Sequence, residues 1–119
     1  MNKAAKSPPG LTDAGAGIKK GNHMNLQGIK KIVSPIAQRY GVAKVLLFGS
    51  RARGEERPDS DYDFLITKGG LKSLWQFSGF WQDLQDALQA QVDVVSDTSF
   101  DAPLIAAARK DGVLVYEQP

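Results

Sequence analysis

Ten residues separate Ser50, the second residue of a Gly49-Ser50 turn, from an Asp61-Tyr62-Asp63 triplet in the stretch GSRARGEERPDSDYDFLIT. The run Tyr62 to Thr67 is rich in aromatic and β-branched residues and reads as a strand with Asp61 at its mouth. Side chains alternate along a strand, so Asp61 and Asp63 share a face with Leu65 while Tyr62, Phe64 and Ile66 turn to the other. Neighbouring carboxylates on one face repel each other unless a cation sits between them. Hard oxygen donors favour Mg²⁺ or Mn²⁺ over zinc, so the pair suits metal-assisted nucleotide transfer.

The residues just upstream supply a phosphate grip. Val45 to Phe48 is a short apolar run stopped by Gly49-Ser50, and Arg51-Ala52-Arg53 has helix propensity, which predicts strand, tight turn and helix start in that order. Free N–H groups at a helix start attract anions. Gly49 lets the backbone approach a phosphate closely and Ser50 adds a hydroxyl donor. Arg51 or Arg53 can present a forked cation to phosphate oxygens. The sequence does not set which one points inward; Arg53 is grouped with Gly49 and Ser50 as the candidate nucleotide-binding set.

Three other motifs match only superficially. Gly49 and Gly54 have P-loop spacing, but Glu55 and Glu56 stand where Lys and Ser/Thr are required and would repel phosphate. Asp59, Asp61 and Asp63 imitate the start of a calcium loop, yet Phe64 takes the glycine position and Gly70 the place of the terminal Glu. Gly15, Gly17 and Gly21 follow no strand and miss the dinucleotide-binding spacing by one residue.

If the metal reading is right, a third carboxylate belongs on a neighbouring strand. Asp93 in Gln91-Val92-Asp93-Val94-Val95-Ser96 qualifies, because it faces away from Val92 and Val94. Taken alone, such a residue is more often a solvent-facing charge on an edge strand. The upstream turn and acid pair reverse that balance.

With Gly49-Ser50, Asp61-x-Asp63 and Asp93 in place, the chain resembles the polymerase-beta-type nucleotidyltransferase superfamily, in its minimal, MNT-type branch. The resemblance runs from Met24 to about Glu117. It implies the nucleotidyltransferase fold and two Mg²⁺ ions bridging a triphosphate, with ATP as the substrate considered first. It also implies an acceptor hydroxyl attacking the α-phosphate with release of pyrophosphate. Carried over by position, Asp61, Asp63 and Asp93 are catalytic metal ligands, Asp93 doubles as a base for the acceptor, and Gly49 and Ser50 contact phosphate. MNT-type members typically pair with a HEPN-type RNase toxin, which makes an antitoxin role and a HEPN partner encoded nearby the implied biology.

Composition bounds these readings. The chain has 119 residues and no cysteine, which removes disulfide scaffolds, thiol nucleophiles and cysteine-based zinc sites. No apolar run approaches the roughly 18 to 20 residues that span a bilayer, and a cytoplasmic protein is expected. The formal net charge is +2, but Lys3, Lys6, Lys19 and Lys20 against Asp13 give the first 23 residues a balance of +3, leaving −1 for the rest. A strong nucleic-acid scaffold is not expected from that distribution. Residues 1–23, rich in Lys, Gly, Pro and Ala, read as a disordered leader. His23-Met24 looks like a vector join, so 24–119 is the expected domain. His23 is the sole histidine, so histidine-based triads are excluded.

The remaining elements must hold the acids in place. Leu26, Ile29, Val33, Ile36 and Tyr40 recur at helical spacing, with Pro35 a kink and Gly41 the stop. Leu74, Phe77, Trp81, Leu84 and Leu88 mark a second helix with a break expected at Ser78-Gly79. Its aromatic stripe reads first as core or partner contact and second as a base-stacking surface. The Trp75 to Trp81 stretch is the candidate surface for a partner or an oligomer. Asp101-Ala102-Pro103 caps a third helix ended by Gly112, and Val113 to Tyr116 closes the sheet. The fold class is α/β, a small mixed β-sheet with helices packed mainly on one face.

Three functions fit these residues. One is transfer of AMP or another nucleotide to a protein hydroxyl; the others are a binding-only antitoxin and transfer to a small hydroxylated molecule such as an antibiotic. The chain is short for a second, substrate-binding domain, which favours an acceptor surface on a separate protein. Clustered acids cost stability by repulsion unless they hold a metal, which argues against the binding-only reading.

Overall fold

A computed structural model describes residues 25–57 and 59–119; the expected leader, 1–23, lies outside the described residues. Helix α1 (Leu26–Tyr40) starts at Asn25, whose side chain accepts from the Gly28 N–H, and continues through Pro35. Gly41 ends it at φ 74°, a left-handed conformation open to glycine without steric cost. Strand β1 (Lys44–Phe48) follows, then β2 (Tyr62–Thr67), α2 (Leu74–Leu88), β3 (Val92–Ser96), α3 (Ala102–Asp111) and β4 (Val113–Glu117).

The four strands lie in the order β3-β2-β1-β4, with β3 and β4 at the edges. β1 runs antiparallel to both β2 and β4, and β2 pairs with β3 in parallel, so the sheet is mixed as expected. The parallel crossover is made by α2, the usual solution where a hairpin is impossible.

Alternation decides what each face does. Val45, Leu47, Tyr62, Phe64, Ile66, Val92, Val94 and Val115 pack with Ile29, Val33 and Ile36 of α1 and Phe80, Leu84 and Leu88 of α2. Leu65 packs on the opposite face with Ile105 and Ala108 of α3 and with Leu46, Phe48 and Val95. Two helices thus share one face, and α3 covers part of the other. At about 25 cal/mol per Å² of apolar surface removed from water, burying Phe80 or Leu84 completely contributes about 2–3 kcal/mol each.

The second helix departs from its expected form in three respects. It runs unbroken through Ser78-Gly79, because Ser73 and Gln76 form a capping box that fixes its start and a small residue is needed at 79, where a Cβ would stand 2.9 Å from Tyr40 Oη. Its buried row is centred on Phe80, and Leu74 is exposed. Trp81 is half-buried and donates its indole N–H to the Val92 carbonyl at 2.6 Å, so it ties α2 to β3, whereas Trp75 is the solvent-facing aromatic at 88% exposure. Tyr40 donates to Asp83 Oδ2 at 2.7 Å and locks α1 to α2; that bond, above all, lifts the tyrosine pKa from its ordinary value.

Candidate active site

The acids gather where β1 ends and β2 and β3 begin. Asp63 is opposite Phe48 across the antiparallel pair and opposite Asp93 across the parallel pair, so Phe48, Asp63 and Asp93 form one row across three strands. Tyr62, Phe64, Val92 and Val94 are buried on the helix side, which leaves the acids on the α3 side of the sheet, beyond the stretch that α3 covers. Asp61 stands one residue before β2, exposed; Asp93 is exposed on an edge strand; Asp63 is half-buried between neighbours.

The charges of these groups act on one another. Burial raises the Asp63 carboxyl above its ordinary value, the charges of Asp93 and Asp61 push it further up, and Arg53 draws it back down. Asp63 is therefore the centre on which the other two acids and one guanidinium act. A cation lodged here would relieve that repulsion, and three carboxylates with no histidine or cysteine are a donor set for Mg²⁺ or Mn²⁺. Among the described residues, no three such side chains are drawn together tightly enough to form a ready-made metal cage.

The glycine turn abuts this row. Gly49 has φ 78°, and a Cβ at its position would collide with Asp63 Oδ2 and stand 3.2 Å from Asp63 Cγ. The glycine turn and the acid strand are therefore in close contact. The expected helix start after the turn is a run of tight turns instead. The N–H groups of Ala52 and Arg53 return to the Gly49 carbonyl at 3.1 and 3.2 Å, Glu55 returns to Ser50, and Gly54 at φ 73° bends the chain out of any helical course. A cradle for phosphate at this position consists of the turn and its side chains, without the N-terminus of an extended helix behind it.

The two arginines have different tasks. Arg53 is exposed, pairs with Glu55 at 2.9 Å and lies within electrostatic reach of Asp63, on the acid side of the turn. Arg51 folds back into the loop, donating from Nε and Nη2 to the Ser60 carbonyl at 3.0 and 2.6 Å, with its guanidinium 3.9 Å from the centre of the Tyr62 ring. Of the two candidates for phosphate, Arg51 is committed to the loop. The Arg51–Ser60 tie was not legible in the sequence; the only hint was an aromatic residue between the two acids that could seat a cation.

A cavity of about 450 Å³ lies on the far side of the turn, lined by Asn25, Ile29, Leu47, Arg51, Glu56 and Val113. Ile29 and Leu47 belong to the helix-side core, so this hollow opens on the opposite face of the sheet from the acids. Chemistry resting on the carboxylates belongs to their own side of the sheet, where Asp61 and Asp93 are exposed.

This arrangement agrees with what the chain is similar to. Residues 30–119 match the family model described as polymerase beta, nucleotidyltransferase. The chain belongs to the polymerase-beta nucleotidyltransferase family. Within that family it is 36% identical over 91 residues to a candidate protein adenylyltransferase of Methanocaldococcus jannaschii, covering 76% of this chain and 92% of the relative. A solved structure described as a candidate minimal nucleotidyltransferase superposes with a TM-score of 0.66 at 30% identity, covering 78% of this chain and 98% of that one. The fold is also shared, at a TM-score of 0.62 and 18% identity, with a chain of the Shewanella oneidensis complex of a tri-AMPylated HEPN toxin with its MNT antitoxin, covering 79% of this chain and 74% of that one. The chain is a nucleotidyltransferase with the fold of that family. No helix among the described residues is long and apolar enough to cross a membrane.

Proposed function

We propose that this nucleotidyltransferase moves AMP from ATP to a hydroxyl of a separate protein in the cytoplasm, and that the acceptor is a HEPN-type toxin encoded nearby, which the modification neutralises. Asp61, Asp63 and Asp93 would hold the Mg²⁺, two ions in all, and Gly49, Ser50 and Arg53 would meet the triphosphate. The observation that carries the reading is the contact of Gly49 with Asp63, in a row that continues to Asp93. That contact puts the glycine turn beside the acids, as transfer from a metal-bound triphosphate would require. The protein acceptor is supported by the relative named as an adenylyltransferase of proteins and by the fold shared with a chain of a complex between an AMPylated HEPN toxin and an MNT antitoxin.

The chain's own residues have distinct tasks in this reading. When bound, Mg²⁺ supplies charge neutralisation for the triphosphate and for the departing pyrophosphate. Gly49 and Ser50 orient the phosphates, and Arg53 exchanges its surface pair with Glu55 for a phosphate oxygen. The acceptor oxygen forms a bond to the α-phosphorus, the bond from that phosphorus to the oxygen bridging to the β-phosphate breaks, and Asp93 takes the hydroxyl proton. Asp93 is suited to a partner's hydroxyl because it is exposed on an edge strand, where a second protein can approach. Most of the catalysis is positioning and electrostatics.

The test is incubation of the chain with α-labelled ATP, Mg²⁺ and the neighbouring HEPN-type protein. Label should appear on a tyrosine or another hydroxyl of that protein, and Asp61→Ala or Asp63→Ala should abolish it with the fold intact. Tight complex formation without label from any nucleotide would replace transfer by binding alone. Label on a small hydroxylated molecule in place of the protein would change the acceptor class.

A further inference from the structure

Of the three acids, Asp61 has the least support from the sheet. Asp63 and Asp93 occupy paired positions of β2 and β3, whereas Asp61 precedes the first residue of β2. The chain reaches it from the turn through residues 50–60, which form no helix or strand among the described residues. Backbone hydrogen bonds among the described residues of this loop are short-range: Ala52 and Arg53 to Gly49, Glu55 to Ser50, and Ser60 to Arg57. They shape its two ends separately, and none of them spans it.

Arg51 does span it. Its two donors converge on the carbonyl of Ser60, the peptide unit that leads directly into Asp61. Its guanidinium lies over Tyr62, which is 2% exposed and stacked near-parallel with Phe64 in the core. One side chain therefore begins beside Ser50, rests on a buried ring and grips the residue before Asp61. A planar fork seated on an aromatic face loses little further freedom in forming these bonds, which an ammonium on a flexible stem cannot match.

We propose that Arg51 is a positioning residue: it sets the distance between the phosphate turn and Asp61, and so completes the acid triad without touching substrate. This inference rests on the metal-binding reading of the acids given above. It assigns the two arginines of the turn opposite tasks, with Arg53 facing the nucleotide and Arg51 closing the loop.

The experiment compares wild type, Arg51→Met, Arg51→Lys, Asp61→Ala and the Arg51→Met/Asp61→Ala double variant. Mn²⁺ binding is followed by titration in the presence of AMP-PNP, and hydrogen exchange at the amides of residues 51–61 is measured well below the melting temperature. Arg51→Met should weaken Mn²⁺ binding by about 10- to 100-fold, the range found when a residue orienting a metal ligand is removed. Arg51→Lys should fall in between. The double variant should bind no more weakly than Asp61→Ala alone, since one loss already contains the other. Loop amides should exchange at least ten-fold faster in Arg51→Met while those of β1 and β4 stay protected. Additive losses, or Mn²⁺ binding and loop exchange unchanged in Arg51→Met, would overturn the proposal. Failure of the wild type to bind Mn²⁺ would instead remove the metal-binding reading, and the loop exchange would still decide whether Arg51 closes the loop.

Discussion

Replacing Gly49 with alanine tests the contact that joins the turn to the acid strand. Two costs can be worked out separately. At φ 78° a side-chain-bearing residue is in the left-handed region, which costs about 1–2 kcal/mol. The new Cβ also collides with Asp63 Oδ2 and crowds Cγ at 3.2 Å, although Asp63 Cβ, at 3.5 Å, is at an ordinary distance. The carboxylate must move, with Phe48 opposite it on one side and the charge of Asp93 on the other, and such overpacking costs about 1–3 kcal/mol. Gly49→Ala should therefore lower stability by about 2–5 kcal/mol, a large share of the roughly 5–15 kcal/mol typical of a domain. Truncating Asp63 to alanine removes Oδ2 and Cγ but keeps Cβ, so in that background only the backbone cost of about 1–2 kcal/mol should survive. Asparagine at position 63 keeps the shape of aspartate and should keep the full cost. Urea unfolding of the single and double variants, read as a double-mutant cycle, measures the difference. An equal cost of Gly49→Ala in the wild-type and Asp63→Ala backgrounds, to within about 0.5 kcal/mol, would refute the contact.

Other outcomes follow from the same geometry. The folded pKa of Asp63 lies above its unfolded value, so the folded state binds more protons there; this contribution to stability is present below the unfolded pKa and is lost as pH rises through the folded one. Asp63→Asn should accordingly raise the metal-free melting temperature at neutral pH, with the gain shrinking as pH falls through that window; a gain independent of pH would contradict the assignment. Trp81→Phe deletes the hydrogen bond to the Val92 carbonyl and should cost about 1–3 kcal/mol in chemical denaturation. Trp75→Ala, at a solvent-facing position, should stay within about 0.5 kcal/mol of wild type. Tyr40→Phe removes the bond to Asp83 and should lower stability by about 0.5–1.5 kcal/mol, visible as a shift in the urea midpoint.

Much of the candidate site's local geometry was legible because its logic is local. Alternation with period two put Asp61 and Asp63 on one face and Tyr62, Phe64 and Ile66 on the other, and those three are buried; Leu65, on the acids' face, is buried too because α3 covers it. The same rule turned Asp93 away from Val92 and Val94. Caps at Gly41 and Asp101 were visible for the same reason, since a left-handed stop and a side-chain acceptor act within a few residues. Two readings changed, one through local bonds and one through a distant partner. The helix expected after Ser50 became turns, and the break expected at Gly79 is absent because that glycine makes room for Tyr40 of another helix.

Residue types and spacing alone thus determined a glycine turn, a two-acid strand and a third acid on a later strand, because backbone geometry fixes the facing of side chains within each element. Tertiary structure decided that β2 and β3 pair in parallel with Asp63 beside Asp93, and that Gly49 packs against Asp63. It also decided that Arg51 bonds to the Ser60 carbonyl while Arg53 pairs with Glu55, and that Trp81 anchors β3 while Trp75 faces water. Strand register and side-chain partners are settled by which long-range contacts bury the most apolar surface and satisfy the most polar groups together, and no local period encodes that choice.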